Sequence, residues 1–171
     1  SYLQIPPAAG RAHRLPSQYP AVTISTGAGR MIPKRDDKLN CLLVGRPSQY
    51  RDRLHQTLKR SFSRVVTVER RYQCLVHLSL DRFDVVALEE KPNEPRLCEF
   101  IDLARSLHPD LAIALLASRL EIQHAVQAMR QGADDVLFRP IILNDLGPRL
   151  IGTIHRRRSI NERSTRSDTF T

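Results

Sequence analysis

Five short runs dominated by apolar residues, separated by stretches of helical period, leave this chain few possible folds. The runs are Leu39–Val44, Val65–Val68, Phe83–Glu89, Leu111–Leu116 and Val136–Phe138. Each has strand length, and apolar runs without alternation are expected of strands covered on both faces. Between them apolar residues recur at intervals of three and four. Tyr50, Leu54, Leu58 and Phe62 mark a first helix, preceded by Ser48 as N-cap. Tyr72–Leu80 is a second, with Leu75 and either Leu78 or Val76 inward. Leu97, Phe100, Ile101, Ala104 and Leu107 share one face of a third. Ile122, Ala125, Val126 and Met129 stripe a fourth over Glu121–Gln131, closed by Gly132. A last helix covers about Leu143–Arg156, with its start blurred by Gly147-Pro148. Strands alternating with helices in this way predict a parallel α/β sheet with helices on both faces, and right-handed crossovers make it doubly wound.

The run Phe83–Glu89 is the expected centre. Val85 to Leu88 are all apolar and Glu89 follows at once, so the strand delivers a carboxylate at its C-terminal end. In an open parallel sheet that end is where ligands gather.

A chain of 171 residues allows one domain with tails. Residues 1–37 hold five prolines and no sustained period, and are expected to be a flexible basic arm. Residues 38–157 form the domain. Residues 158–171 are expected to be a polar tail, or a linker to a missing output domain. The formal net charge is +9, with five Arg/Lys against two acids in residues 1–37 and the same ratio in residues 153–171. Basic tails of this kind are solvated arms or contacts to an acidic partner, DNA included, with Arg156-Arg157-Arg158 as the densest cluster. Cys41, Cys74 and Cys98 are odd in number and carry no CxxC, which fits core thiols in a reducing compartment. No run is long enough to cross a membrane, and no signal peptide is visible, so the expected location is the cytoplasm. The first residue is Ser1, which points to a processed or excised chain.

No enzyme is expected. The six histidines fall on different elements without a metal-ligand spacing, and Ser118 lacks the context of a nucleophile elbow.

The segment Ala125–Pro140 contains Gly-Ala-Asp-Asp-Val-Leu-Phe-Arg-Pro. With Asp145-Leu146 and Arg149-Leu150 beyond it, residues 39–156 resemble the receiver domain of bacterial two-component response regulators, in the OmpR/PhoB-like winged-helix subfamily. That resemblance implies a flavodoxin-like sheet of strand order 2-1-3-4-5. It also implies phosphoryl transfer to an aspartate, with an acidic pair holding Mg²⁺, a hydroxyl after strand four and a lysine after strand five. This chain departs at each of these positions. The acidic pair falls on Gly45 and Arg46, the acceptor on Glu89, the hydroxyl on Ala117 and the lysine on Arg139. The aromatic switch position falls on Val136. One carboxylate among two guanidiniums reverses the usual sign, so Mg²⁺ binding and Mg²⁺-dependent phosphorylation are not expected, and a kinase partner is doubtful. Glu89 accepting charge-assisted bonds from Arg46, Arg139 or both would hold the domain near one state. The alternatives are a decayed pocket with no switching role, or an anion site.

The same resemblance implies a homodimer through the fourth helix, fifth strand and fifth helix. Asp135 and Arg149 match one of the family's interfacial pairs, with Asp134 beside them. Asp145 matches the acid of another pair, whose basic partner falls on Ala125. DNA would be reached through an output domain that these residues do not include. The reading is a degenerate, phosphorylation-independent receiver within a transcription regulator; the alternatives are a stand-alone adaptor or a basic DNA- or anion-binding module.

Overall fold

The computed structural model describes residues 38–89, 96–118 and 122–168, and two short strands, Ile24–Ser25 and Arg30–Met31. The chain divides into two units, Ser1–Lys38 and Leu39–Thr171. In the first, the two short strands pair antiparallel, Ile24 opposite Met31 and Ser25 opposite Arg30. The remainder of the expected N-terminal arm lies outside the described residues.

In the second unit β1 (Asn40–Val44), α1 (Gln49–Leu58), β2 (Arg64–Val68), α2 (Arg71–Leu80) and β3 (Val85–Glu89) are followed by α3 (Leu97–Leu107), β4 (Ala112–Ala117), α4 (Ile122–Arg130), β5 (Asp135–Phe138) and α5 (Leu143–Asp168). The five strands are all parallel in the order β2-β1-β3-β4-β5, which is the flavodoxin-like arrangement. Strand alternation explains why the runs are apolar throughout. Leu42, Val44, Val86, Leu88, Ile113 and Leu115 pack on one side, with α2, α3 and α4. Cys41, Leu43, Val85, Ala87, Ala112, Ala114 and Leu116 pack on the other, with α1 and α5. Both layers exclude water, so Val85–Leu88 of β3 and the whole of β4 carry apolar side chains on both faces.

The helices depart from the sequence reading at five points. Helix α1 stops at Leu58; Phe62 is still buried, because its amide reaches Leu58 O at 2.9 Å in the turn that follows. In α2 Leu78 and Cys74 face inward and Val76 faces solvent. In α3 Leu107 is exposed rather than on the buried face. In α4 the inner contact is made by Ala125 and Ala128, while Ile122, Val126 and Met129 stand 52%, 47% and 45% exposed. The small alanines bring α4 close to the sheet, and the larger apolar residues are turned out. Gly132 closes α4 with φ +113, a conformation that disfavours any residue bearing a Cβ.

The largest difference is in α5, which continues to Asp168 instead of ending near Arg156. Residues 158–168 are therefore helix, not an irregular tail. Gly147 lets this helix approach the end of α1: a Cβ there would lie 2.7 Å from Ser61 Cβ. Its lower half is anchored by polar ties that no local pattern announces. Arg158, buried, pairs with Asp84, and Asn161 Nδ2 donates to Asp110. Asp84 in turn accepts the Asn40 amide at 2.7 Å, which places this pair at the base of the sheet's two central strands.

Candidate functional site

The C-terminal edge of the sheet gathers Gly45 after β1, Glu89 at the end of β3, Ala117 at the end of β4 and Arg139 after β5. Glu89 is nearly enclosed, its side chain 11% exposed, and its Oε1 lies 3.1 Å from Arg139 Nη2. A carboxylate in so sheltered a place requires a cation, and the guanidinium supplies one. The Arg139 guanidinium is also seated over the Tyr50 ring, 4.7 Å from its centroid, so α1 contributes an aromatic platform. Tyr50 was expected only as a core-facing helical residue. Burial pushes its phenol above the usual range; Arg139 opposes that shift and Glu89 adds to it.

Gly45 is buried against the Glu89 side chain. A Cβ there would fall 2.6 Å from Glu89 Cδ and 2.9 Å from its Cγ. The longer Glu side chain thus occupies space that a side chain at position 45 would need, and the two departures from the receiver pattern fit each other. Arg46 is exposed and makes no ion pair among the described residues, so the expected Arg46–Glu89 bond is not formed. The guanidinium that reaches this turn belongs to Arg51, whose Nη1 donates to Gly45 O at 3.3 Å. Ala117 is fully buried and its carbonyl accepts the Arg139 amide at 2.8 Å; it brings no hydroxyl. The Arg139–Pro140 peptide is cis.

Divalent magnesium takes oxygen ligands in octahedral array. Among the described residues the pocket offers one carboxylate, already paired with a guanidinium, beside a glycine and an exposed arginine. That donor set does not fit the ion, and no group of three or more His, Cys, Asp or Glu elsewhere among the described residues could hold a metal.

The face built by α4, β5 and α5 carries the other residues of interest. Asp135 accepts two bonds from Arg149, Nε and Nη2 both at 3.0 Å, and further bonds from Thr153 at 3.2 Å and Arg156 at 3.3 Å. The pair that resembles an intermolecular one is thus closed within one chain. Burial would raise the Asp135 carboxyl, but the bonds from Arg149, Val136 and Thr153 outweigh it and hold it below its ordinary value; the same bond raises Arg149. A carboxyl depressed in the folded state stabilises the fold above its unfolded pKa and loses that contribution as pH falls through the folded value. Asp135→Asn is therefore expected to lower the urea midpoint at pH 7, with the difference from wild type shrinking as the pH is taken below the carboxylate range.

Asp134 points inward, pairing with Arg105 and lying 3.8 Å from Arg157, and its Oδ2 accepts the Ile113 amide at 2.8 Å. Burial raises its carboxyl despite these partners. Its side chain is 9% exposed, so it stands off the outer surface on which it was expected. Asp145 is exposed in the first turn of α5, where the helix dipole favours an acid. With Arg149 it rims a cavity of about 190 Å³ lined by Leu137, Phe138, Ile141 and Ile142. Phe138 at 40% and Ile142 at 68% exposure join the outward α4 residues on this face. Sequence reasoning missed Phe138, though strand alternation from buried Leu137 would have turned it outward.

Arg156, Arg157 and Arg158, the densest basic cluster, are each engaged inside the chain: with Asp135, with Pro109 O and Asp134, and with Asp84. No helix among the described residues is long and apolar enough to cross a membrane.

No family model matches the chain. Residues of the chain are 26% identical over 98 positions to the transcriptional regulatory protein KdpE of Staphylococcus aureus, a match covering 57% of this chain and 42% of KdpE. A solved receiver domain of a response regulator from Clostridium thermocellum superposes with a TM-score of 0.60 at 18% identity, over 71% of this chain and 98% of that one. The fold is that of CheY-like receiver domains. A structure described as an adenylate cyclase from Rhodopirellula baltica shares it, with a TM-score of 0.63 at 20% identity over 75% of this chain and 96% of that one. The receiver fold thus recurs under different functional names, and function here must be argued from the site.

Proposed function

We propose that this chain is a receiver-type interaction module whose state is set by its own side chains rather than by Mg²⁺-dependent phosphorylation. The observation that carries this reading is the Glu89–Arg139 pair lodged against Gly45. The acceptor position holds a carboxylate that is already neutralised, and the metal's acids are replaced by a glycine and a cation. A phosphoryl group arriving there would meet no ion to bridge its charge.

The output is association. Ile122, Val126, Met129, Phe138 and Ile142 form an outward apolar surface across α4, β5 and the start of α5, with half-exposed Arg149 and Arg156 and exposed Asp145 around it. Apolar residues ringed by charge fit a second copy of the chain. Sequence likeness to KdpE supports placing the module in a transcription regulator, with DNA contacted by residues outside those described. Val126→Glu is expected to weaken self-association at least tenfold in sedimentation velocity while leaving the circular dichroism melt unchanged. Equal association by the variant would remove the pairing from the reading.

A further inference from the structure

The charge of the domain is concentrated in one part of it. Residues 39–82, which build β1, α1, β2 and α2, hold nine Arg/Lys against three Asp/Glu, whereas residues 83–168 hold twelve against thirteen. The excess therefore lies at one side of the sheet, where β2 is the outer strand. Arg51 is taken up by Asp52 at 3.3 Å and Arg64 by Asp81 at 2.9 Å. Arg46, Arg53, Lys59, Arg60 and Arg70 are all exposed and have no acidic partner among the described residues. The cluster expected to meet an acidic partner, Arg156-Arg157-Arg158, is engaged within the chain, so the free cations lie elsewhere than the sequence indicated.

These five residues follow α1 from end to end. Arg46 and Arg70 leave neighbouring strand ends, which are tied where the Gly45 amide donates to Val68 O at 2.9 Å. Lys59 and Arg60 lie towards the opposite edge of the sheet, where the Ser63 amide donates to Leu39 O at 2.9 Å. Arg53 stands between them, seven residues before Arg60 and so on the same side of α1. The helix is about 15 Å long, and a row of unneutralised cations of that length attracts a polyanion.

The absence of apolar anchors selects the kind of polyanion. No large hydrophobic residue is exposed from Leu39 to Arg71, so this surface lacks the apolar centre on which a protein partner docks. One exposed aromatic at its margin, Tyr72, is no stacking platform for successive unpaired bases. Eight of the nine cations are arginine, whose planar fork pairs with two phosphate oxygens at once. We propose that α1 and the β2 edge bind the phosphate backbone of duplex DNA, as a sequence-independent contact beside the sequence-reading one placed outside the described residues. Only the choice of DNA over duplex RNA rests on the proposed place in a transcription regulator; the surface itself does not.

Fluorescence anisotropy of a labelled duplex of about 20 base pairs, titrated with the full chain between about 50 and 200 mM salt, tests this. The expected Kd is on the order of 10 µM near 100 mM salt, and about four neutralised phosphates give log K a slope near −4 against log salt. Arg53→Gln with Arg60→Gln should weaken binding at least about tenfold and make that slope shallower by about 2, with an unchanged thermal melt because both side chains are exposed. Arg130→Gln with Arg163→Gln removes the same charge from exposed positions elsewhere and should stay within about twofold of wild type. The proposal is overturned if wild type does not bind at low salt, or if the two double variants lose affinity equally; the latter assigns the binding to residues 1–37 or to net charge alone. Displacement of the DNA by polyglutamate at matched charge also overturns it, in favour of an acidic protein. Tighter binding of duplex RNA overturns the choice of DNA and counts against the place in a transcription regulator, while the Arg53 and Arg60 comparison, run on either duplex, judges the surface separately.

Discussion

Arg158→Ala is expected to destabilise the fold by about 3 kcal/mol, the cost of leaving a sheltered carboxylate without its cation. The two side chains are only 10% and 11% exposed. Burial depresses the Arg158 guanidinium to about 10. Asp84 also receives the Asn40 amide, so its charge is held at the base of β1 and β3 and cannot swing to solvent without breaking that bond. A loss of this size corresponds to roughly 10 °C in Tm for a domain of this length. The double variant Asp84→Asn with Arg158→Met should recover much of it, because both charges are then gone and the methionine keeps the packing. Thermal melts of the three variants give the coupling between the two sites. Residues 158–168 should also lose helix in Arg158→Ala, as hydrogen exchange would report.

Gly45→Val carries the second large effect. The added Cβ would sit 2.6 Å from Glu89 Cδ, and Gly45 and the Glu89 side chain are both largely shielded from solvent. Overpacking of this kind costs about 1–3 kcal/mol. The cost should fall when Glu89 is also changed to Ala, because the clash partner is then removed. A Gly45→Val chain as stable as wild type would mean that Glu89 has room to leave the pocket, and would take away the reason for regarding it as fixed.

How much of this was legible in the sequence differs by element. The five strands were, because a strand buried on both faces writes an apolar run that little else produces. The order of the sheet followed from the resemblance rather than from the runs themselves. The inner and outer faces of α4 were not legible: Ile122, Ala125, Val126, Ala128 and Met129 form so broad an apolar stripe that size, not polarity, decides the contact, and the alanines win it. The length of α5 was hidden for another reason. Its last turns are polar on all sides, and what anchors them are pairs with residues far away in sequence, Arg158 with Asp84 above all. At the candidate site the meeting of Glu89 with Arg139 was legible from their positions at strand ends. The choice of Arg139 over Arg46 was not, nor was the platform under it. Both depend on the path of the chain between Gly45 and Tyr50, which leaves Arg46 exposed and sets the Tyr50 ring under Arg139.

The pocket is proposed to be closed to phosphoryl chemistry by its own residues. The direct measurement is intact-mass spectrometry of the full chain after incubation with acetyl phosphate and Mg²⁺, alongside a Gly45→Asp, Arg46→Asp, Glu89→Asp, Arg139→Lys variant that restores the acidic receiver pattern. No added phosphoryl mass is expected on wild type, and no change in its sedimentation with the donor present. A base-labile phosphoryl adduct on wild type that disappears in Glu89→Gln would contradict it.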